Sequence, residues 1–507
     1  MTTRIASTFL CDARLQLRNG FYTAAAVLTV VSIVALLLAP TQNLTWLLPP
    51  LVVNNLIVNG FFFLAGLVLL EKSEGSLEAQ IVTPLRSSEY LAAKVGTLTL
   101  LSLVENLLIW AVVASFDFQP AVLVTAIVLG TALFASAGFV AVARYDSLNS
   151  FLLPGMAAVF LLSLPLLPYF GIGQHNAIEA LLYLHPLQPV LTLLSAVSSN
   201  TVSLIEIVYG VAAGVGWVTL FAWWANRSFR HFVVEKLNAR DLTPQRSAPR
   251  IQLRFAVNTP LAQRLGMLRS LGPIDAHTIG RDEMLRWLIF TPLLQALAIR
   301  WLLPVILATI EQWMGLELTS YYAPLMGYVT LLLVPYLWGA IIGFLLLDQR
   351  DEQTLTALQV TPLPLRSYLI YRLLAPALLS SLATLLVMPI TGLFSVPWWA
   401  YPLLAFGVAP MAPLAALALA ALAENKVQGL ALMKAAGVVL LPPMIAYFTP
   451  APWSLLFALA PTWWPAQMLW SLQNGGASWP IYLLGGLLYQ TVLLVWLVRH
   501  FDRSMHR

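Results

Sequence analysis

Apolar runs of about 20 residues recur along this chain with only short polar breaks between them, and each is long enough to cross a bilayer as a helix. They fall at about 21–39, 48–70, 90–115, 119–143, 151–171 and 205–225, and again at about 285–305, 322–347, 367–390, 398–422, 429–449 and 479–499. None alternates with the period of two that a barrel strand requires, so helices are the spanning elements. Prolines inside the runs (Pro49, Pro50, Pro154, Pro335, Pro442 and Pro443) are tolerated where neighbouring helices satisfy the freed backbone groups. Only 10% of the residues are charged and 59% are hydrophobic, whereas a soluble domain carries about 25% charged residues. A water-soluble fold of 507 residues could not hide that much apolar surface. The chain therefore reads as an all-α membrane protein with about 12 transmembrane helices.

The runs form two sets because the chain repeats itself. At a spacing of 278, the segment Glu71 to Lys94 lies on Gln349 to Arg372 with nine of 24 positions identical. Val82-Thr83-Pro84-Leu85 meets Val360-Thr361-Pro362-Leu363, Glu74 meets Glu352, Lys72 meets Arg350 and Lys94 meets Arg372. Ala143 to Phe170 lies on Ala421 to Phe448 at the same spacing; upstream the spacing drops to 263, where Asp12 meets Asp275 and Arg18 meets Arg281. The expected architecture is two parallel-repeated six-helix bundles forming a pseudo-dimer. Residues 1–226 make the first six-span unit, 227–274 a basic linker and 275–507 the second unit.

Lys and Arg set the expected orientation. With the amino terminus inside, the inner segments take every one of them except Arg300, which lies near an outer boundary. Both termini, both repeated charged segments and the linker are then cytoplasmic, in a bacterial or archaeal plasma membrane. The net charge of +5 implies contact with anionic inner-leaflet lipid and not nucleic acid. Residues 227–286 hold eleven Lys/Arg and five Asp/Glu, either as a solvated tether or with Leu261 to Leu271 as a surface helix. The first apolar run is long enough to span and has no cleavable leader pattern. Cys11 is the chain's one cysteine, so neither an intrachain disulfide nor a cysteine metal site is expected.

The repeated charged segment sits where the second run ends and the third begins. Glu71, Glu74 and Glu78 fall on one side of a short helix, and Leu77 and Ile81 supply an apolar side, as Leu355 and Leu358 do in the second copy. Thr83-Pro84 and Thr361-Pro362 end it, because the residue before proline is pushed out of the α region. The pattern carried by Glu71, Glu74, Gly75, Ser76, Leu77, Thr83 and Pro84 resembles that of the type-2 ABC transporter permeases. The second copy departs from it at Gln349 and Gln353 but keeps Arg350, Glu352, Thr354, Leu355, Thr361 and Pro362, with Asp351 as a further candidate. The resemblance covers nearly the whole chain as two fused permease units. It implies that each segment is a coupling helix docking on a cytoplasmic ATP-binding subunit, in two copies, and that the assembly exports drugs, lipids, peptides or polysaccharides. No Walker pattern occurs in the chain, so ATP and Mg would be bound by the partner, with no cofactor, metal or catalytic residue here.

The family also suggests an amphipathic surface helix before the first span, with Asp12, Arg14, Gln16 and Arg18 opposed to Phe9, Leu10, Leu15 and Leu17. Between the fifth and sixth spans, Gly171 to Ser203 and Thr449 to Trp479 are too apolar for free loops. They are expected to be short re-entrant or interfacial helices, with the tryptophans at the headgroups. Asn55, Asn59 and Glu105 lie inside spans and either line a substrate path or hydrogen-bond helix to helix; Asn54 reads as helix–helix only. Glu206 and Arg300 read as interfacial or capping residues. Few fixed charges in the spans favour a hydrophobic or amphipathic cargo. An ion-coupled secondary transporter with a two-by-six repeat is the alternative, though it leaves the twin acidic segments unexplained. A lipid-modifying enzyme would need a clustered catalytic constellation, and none is visible.

Overall fold

The computed structural model describes residues 2–37, 45–77, 86–114, 118–146, 148–170, 180–197, 203–231, 289–314, 319–351, 365–423, 428–429, 432 and 437–505. No strand occurs among them. The chain forms two compact units, Met1–Gln252 and Leu253–Arg507.

In the first unit, α1 (Thr2–Arg18) turns by 65° into α2 (Phe21–Leu37). The corner is Gly20, whose φ of +74° suits a residue without a Cβ. The unit continues with α3 (Thr45–Lys72), α4 (Ser87–Val113), α5 (Pro120–Val142), α6 (Leu148–Leu162), the short α7 (Gln188–Ala196) and α8 (Leu204–Phe229). Helix α3 occupies the centre, with 78% of its apolar window buried, whereas α8 buries 11% and turns the rest outward to lipid. Within α3 the stretch Ile57–Phe63 is a π-helix, an insertion that often marks functional positions.

Helix α1 is amphipathic, as the sequence suggests, but part of its polar side faces the bundle instead of water. Asp12 and Gln16, one turn apart, are buried at 4% and 0% exposure, whereas Leu10 and Leu17 are exposed. The polar pair points at α4, where Gln16 Nε2 donates to Thr97 Oγ1 at 2.7 Å. The apolar side is left for the membrane, as in helices lying at its surface.

The second unit repeats the order. Residues 291–314 form α9, which passes through a π-helical stretch at Ala298–Leu302. Then come α10 (Thr319–Asp351), α11 (Leu365–Thr391), α12 (Ala400–Leu422), α13 (Leu441–Phe448), α14 (Trp463–Gln473) and α15 (Trp479–Met505). Helix α10 is again central, 78% buried over its window, and α15 peripheral at 17%. Arg300 donates from Nη1 to Ile390 O at 2.9 Å, capping the end of α11. The outer segments do fold as short helices, α7 and α14. Their tryptophans divide, however: Trp463 and Trp470 are buried and Trp453 is exposed. Trp470 Nε1 donates to Pro324 O at 3.1 Å, so this indole packs α14 onto α10 instead of reaching the headgroups.

Among the described residues eight helices are long and apolar enough to span: α3, α4, α5, α8, the Tyr321–Leu347 part of α10, the Tyr371–Thr391 part of α11, α12 and the Trp479–Arg499 part of α15. The first and fifth runs of each set fall short of this among the described residues. Helix α2 has 17 residues. Helix α6 has 15 and ends in a turn at Ser163 to Pro165 before the separate Leu166–Tyr169 turn of helix. Helix α13 starts late, on the paired prolines Pro442 and Pro443.

The second and fourth spans of each unit pack backbone to backbone, and the two units achieve this with opposite residues. A Cβ on Gly138 of α5 would stand 2.8 Å from Phe61 O, and one on Gly60 of α3 would stand 3.0 Å from Phe134 Cβ. In the second unit the positions of Gly60 and Phe134 hold Trp338 and Ala412, both buried in one cluster. The positions of Phe61 and Gly138 hold Gly339 and Ala416, and a Cβ on Gly339 would stand 2.4 Å from Ala412 O. Small residues at such crossings let helix backbones approach in lipid.

Candidate functional site: the root of the second span

The end of α3 is tied to three other helices before the chain leaves the bundle. Glu71, 2% exposed, accepts from Lys94 Nζ of α4 through Oε1 at 2.6 Å and from the Tyr90 hydroxyl through Oε2 at 2.5 Å. Lys94, fully buried, also donates to Asp12 Oδ1 of α1 at 3.0 Å and lies 4.8 Å from the Tyr90 ring centre. One ammonium thus holds two carboxylates, and three helices meet on it. Burial pushes the Asp12 carboxyl above its ordinary value, and the Glu71 charge adds to that, while Lys94 pulls the other way. A buried set of this kind contributes little net stability but penalises other arrangements of the helices.

Lys72 faces the other side. Its Nζ donates to Ala143 O at 2.9 Å and Tyr145 O at 2.7 Å, so a cation satisfies carbonyls just beyond the end of α5. The helix then stops. Glu74 N–H donates to Leu70 O at 2.9 Å, and Gly75 takes φ +69°, the left-handed conformation common after a helix end. The Ser76 hydroxyl donates back to Glu71 O at 3.3 Å, and Leu77 is buried. Glu74 remains exposed, 3.8 Å from Arg18.

This geometry corrects one sequence reading. Glu71 and Glu74 do not share a face of one short helix. Glu71 belongs to the span and points inward to Lys94, while the break at Glu74-Gly75 re-aims the chain, leaving Glu74 at the surface. Thr83, Pro84, Glu352, Thr354, Leu355, Thr361 and Pro362 lie outside the described residues, as do residues 232–274 of the linker and Asp275. Arg350 and Asp351 end α10.

Asn55, Asn59 and Glu105 are brought together between α3 and α4. Asn55 Nδ2 donates to Asn106 Oδ1 at 3.0 Å; Asn59 Nδ2 donates to Glu105 Oε2 at 2.6 Å and to Ser102 Oγ at 3.3 Å. All five side chains are buried, so here these polar groups join helix to helix. Asn54, which the sequence assigned to helix–helix bonding, is the exposed one. The second unit has Leu333, Leu337, Ala383 and Thr384 at the positions of Asn55, Asn59, Glu105 and Asn106, so its seam is largely apolar.

Sequence reasoning missed the roles of Asp12, Tyr90 and Lys94, although a signal was present. Tyr90 is retained as Tyr368, Asp12 as Asp275, and Lys94 as the basic Arg372, which is also buried.

Span-length apolar helices in both units, with a polar, tethered exit at the second span of the first, define an integral membrane permease. Residues 3–237 match the fluoroquinolones export permease protein family, and residues 275–498 match the family of fluoroquinolones export permease protein Rv2686c-like sequences. Fluoroquinolones export permease protein Rv2686c of Mycobacterium tuberculosis (strain ATCC 25618 / H37Rv) is 30% identical over 242 residues, 47% of this chain and 95% of that protein. Fluoroquinolones export permease protein Rv2687c of the same strain is 32% identical over 195 residues, 38% of this chain and 81% of that protein. The chain belongs to the fluoroquinolones export permease family and carries two of its units in tandem.

Proposed function

We propose that the chain is the membrane-spanning permease of an ATP-driven exporter. Its cargo is a hydrophobic or amphipathic drug-like molecule, in keeping with the fluoroquinolones named for its relatives. A separate ATP-binding subunit, in two copies, docks on the segments that follow the second span of each unit and supplies ATP and Mg. The docking residues are Glu74, Gly75, Ser76, Leu77, Thr83 and Pro84 in the first unit, and Arg350, Asp351, Glu352, Thr354, Leu355, Thr361 and Pro362 in the second. Glu71 acts behind them, as a positioning residue. Both segments and both termini face the cytoplasm, next to anionic lipid.

The observation that carries this reading is the double tether at Glu71 and Lys72. A force applied at Glu74 is delivered at once to α1 and α4 through Glu71 and Lys94, and to α5 through Lys72. A surface loop with no such ties would absorb the same force by bending.

Co-purification tests it. The chain is expressed with the ABC ATP-binding subunit of its own genome, and Glu74→Arg combined with Glu352→Arg should release that subunit while the permease stays folded in the membrane. Full retention by the folded double variant would overturn the docking assignment.

A further inference from the structure

The first unit is charged very differently at its two ends. Its sequence has no Lys or Arg between Arg18 and Lys72, between Lys94 and Arg144, or between Arg144 and Arg227. At the end away from Lys72, Glu206 opens α8. At that end the Leu166–Tyr169 turn, α7 and the start of α8 border an open cleft of about 450 Å³. Small-molecule sites span roughly 300–1,000 Å³.

The walls of the cleft are of two kinds. Helix α7 buries Val190, Leu193 and Leu194, whereas Gln188, Thr192 and Ser195, spaced four and three apart, line the cleft as a polar stripe. Tyr169 and Tyr183 add aromatic surface. The Tyr169 hydroxyl donates to Trp46 O at 2.8 Å, which fixes its ring, and Tyr183 meets Tyr209 edge-on with ring centres 5.7 Å apart. Glu206, in the first turn of α8, is the one carboxylate lining the cleft among the described residues and is exposed. Among the described residues no salt bridge includes it. The matching segment of the second unit, 449–478, has no charged residue at all, so no second copy of this arrangement is encoded.

We propose that this cleft binds an amphipathic organic cation, its protonated amine set between Glu206 and the rings of Tyr169 and Tyr183, its polar substituents meeting Gln188, Thr192 and Ser195. A carboxylate and aromatic faces both favour a cation, and the lack of any Lys or Arg between Arg144 and Arg227 removes the fixed positive charge an anion would need. The assignment narrows the cargo class of the permease and rests on that reading.

Binding without any ATPase separates the two. The full chain in lipid nanodiscs is titrated with dansylcadaverine, a fluorescent primary ammonium, and with its neutral N-acetyl derivative, empty nanodiscs being subtracted. The wild type should bind the cation about fivefold tighter than the neutral compound, a ratio in keeping with a partly screened charge and two aromatic contacts. Glu206→Gln should bring the two to parity without changing affinity for the neutral compound, and Glu206→Asp should keep most of the preference. Equal affinities in the wild type, binding of neither probe, or a preference that survives Glu206→Gln would overturn the site. The Glu74→Arg, Glu352→Arg chain, without its ATPase, should retain the full preference, so a failed cleft and a failed docking assignment give different results.

Discussion

Lys94 is the residue on which the inner end of the first unit is assembled. Replacing it with methionine leaves Asp12 and Glu71 buried, with no cation between them, and breaking a buried pair this way costs about 3–5 kcal/mol. Lys94→Met should therefore sharply lower the melting temperature of the purified chain. Glu71→Gln should cost much less, since the amide still accepts from Lys94 and the second unit places Gln349 at that position. A pH dependence belongs to this scale too. Burial holds the His185 ring below its ordinary 6.5, against the opposing pull of its hydrogen bond to Leu161 O at 3.1 Å. A ring that stays neutral in the fold takes up its proton later than in the unfolded chain. Stability is therefore intact at neutral pH and declines as pH falls through the ordinary value. Melting temperature should drop between about pH 7 and pH 5, and His185→Gln should flatten that part of the curve. Little of this was legible beforehand. The repeat exposed Glu71, Lys72 and Lys94 as paired with Gln349, Arg350 and Arg372, but which way each side chain points depends on partners up to 82 positions away.

Helices were far easier to read than residues. An apolar run of about 20 residues announces itself whatever surrounds it, and the central runs, from α3 to α5 and from α10 to α12, appear as expected. What hydropathy does not carry is local geometry: the π-helix at Ile57–Phe63, the early end of α6 and the inward polar face of α1 all depend on neighbours. The contact of α3 with α5 gives a sharp test. Gly138→Ala puts a methyl 2.8 Å from the Phe61 carbonyl oxygen and 2.9 Å from its Cα, and backbone atoms cannot swing aside. Overpacking of this kind costs about 1–3 kcal/mol. Gly216→Ala on α8, where nothing lies within 4 Å of the added carbon, should leave the melting temperature unchanged. Lys72→Met should remove the cap on α5 and reduce ATP-driven efflux in reconstituted vesicles more than it reduces stability, since α3 keeps its anchor through Glu71.

For the whole chain, charge distribution carries the orientation. Cys11 is exposed on α1, next to the bonded Asp12, and the sequence holds no other thiol. A membrane-impermeant maleimide should label the chain in inside-out vesicles and spare it in intact cells; the opposite pattern would reverse the assigned topology and move the acidic cleft to the cytoplasmic side. The division into two units was legible from the spacing of 278, because a copied charged segment survives drift better than the lipid-facing residues around it.

Drift within the cores has a further consequence. A crossover between the two copies of the coding sequence, placed between the second and fourth spans, would delete the intervening half and join α3 to α12. Gly60 would then face Ala412 across a gap, and Phe61 would have to share its close approach with the methyl of Ala416. The reciprocal splice would force Trp338 against Phe134. Each half has become a poor donor of parts to the other, and this incompatibility helps keep the tandem from shrinking back to a single unit.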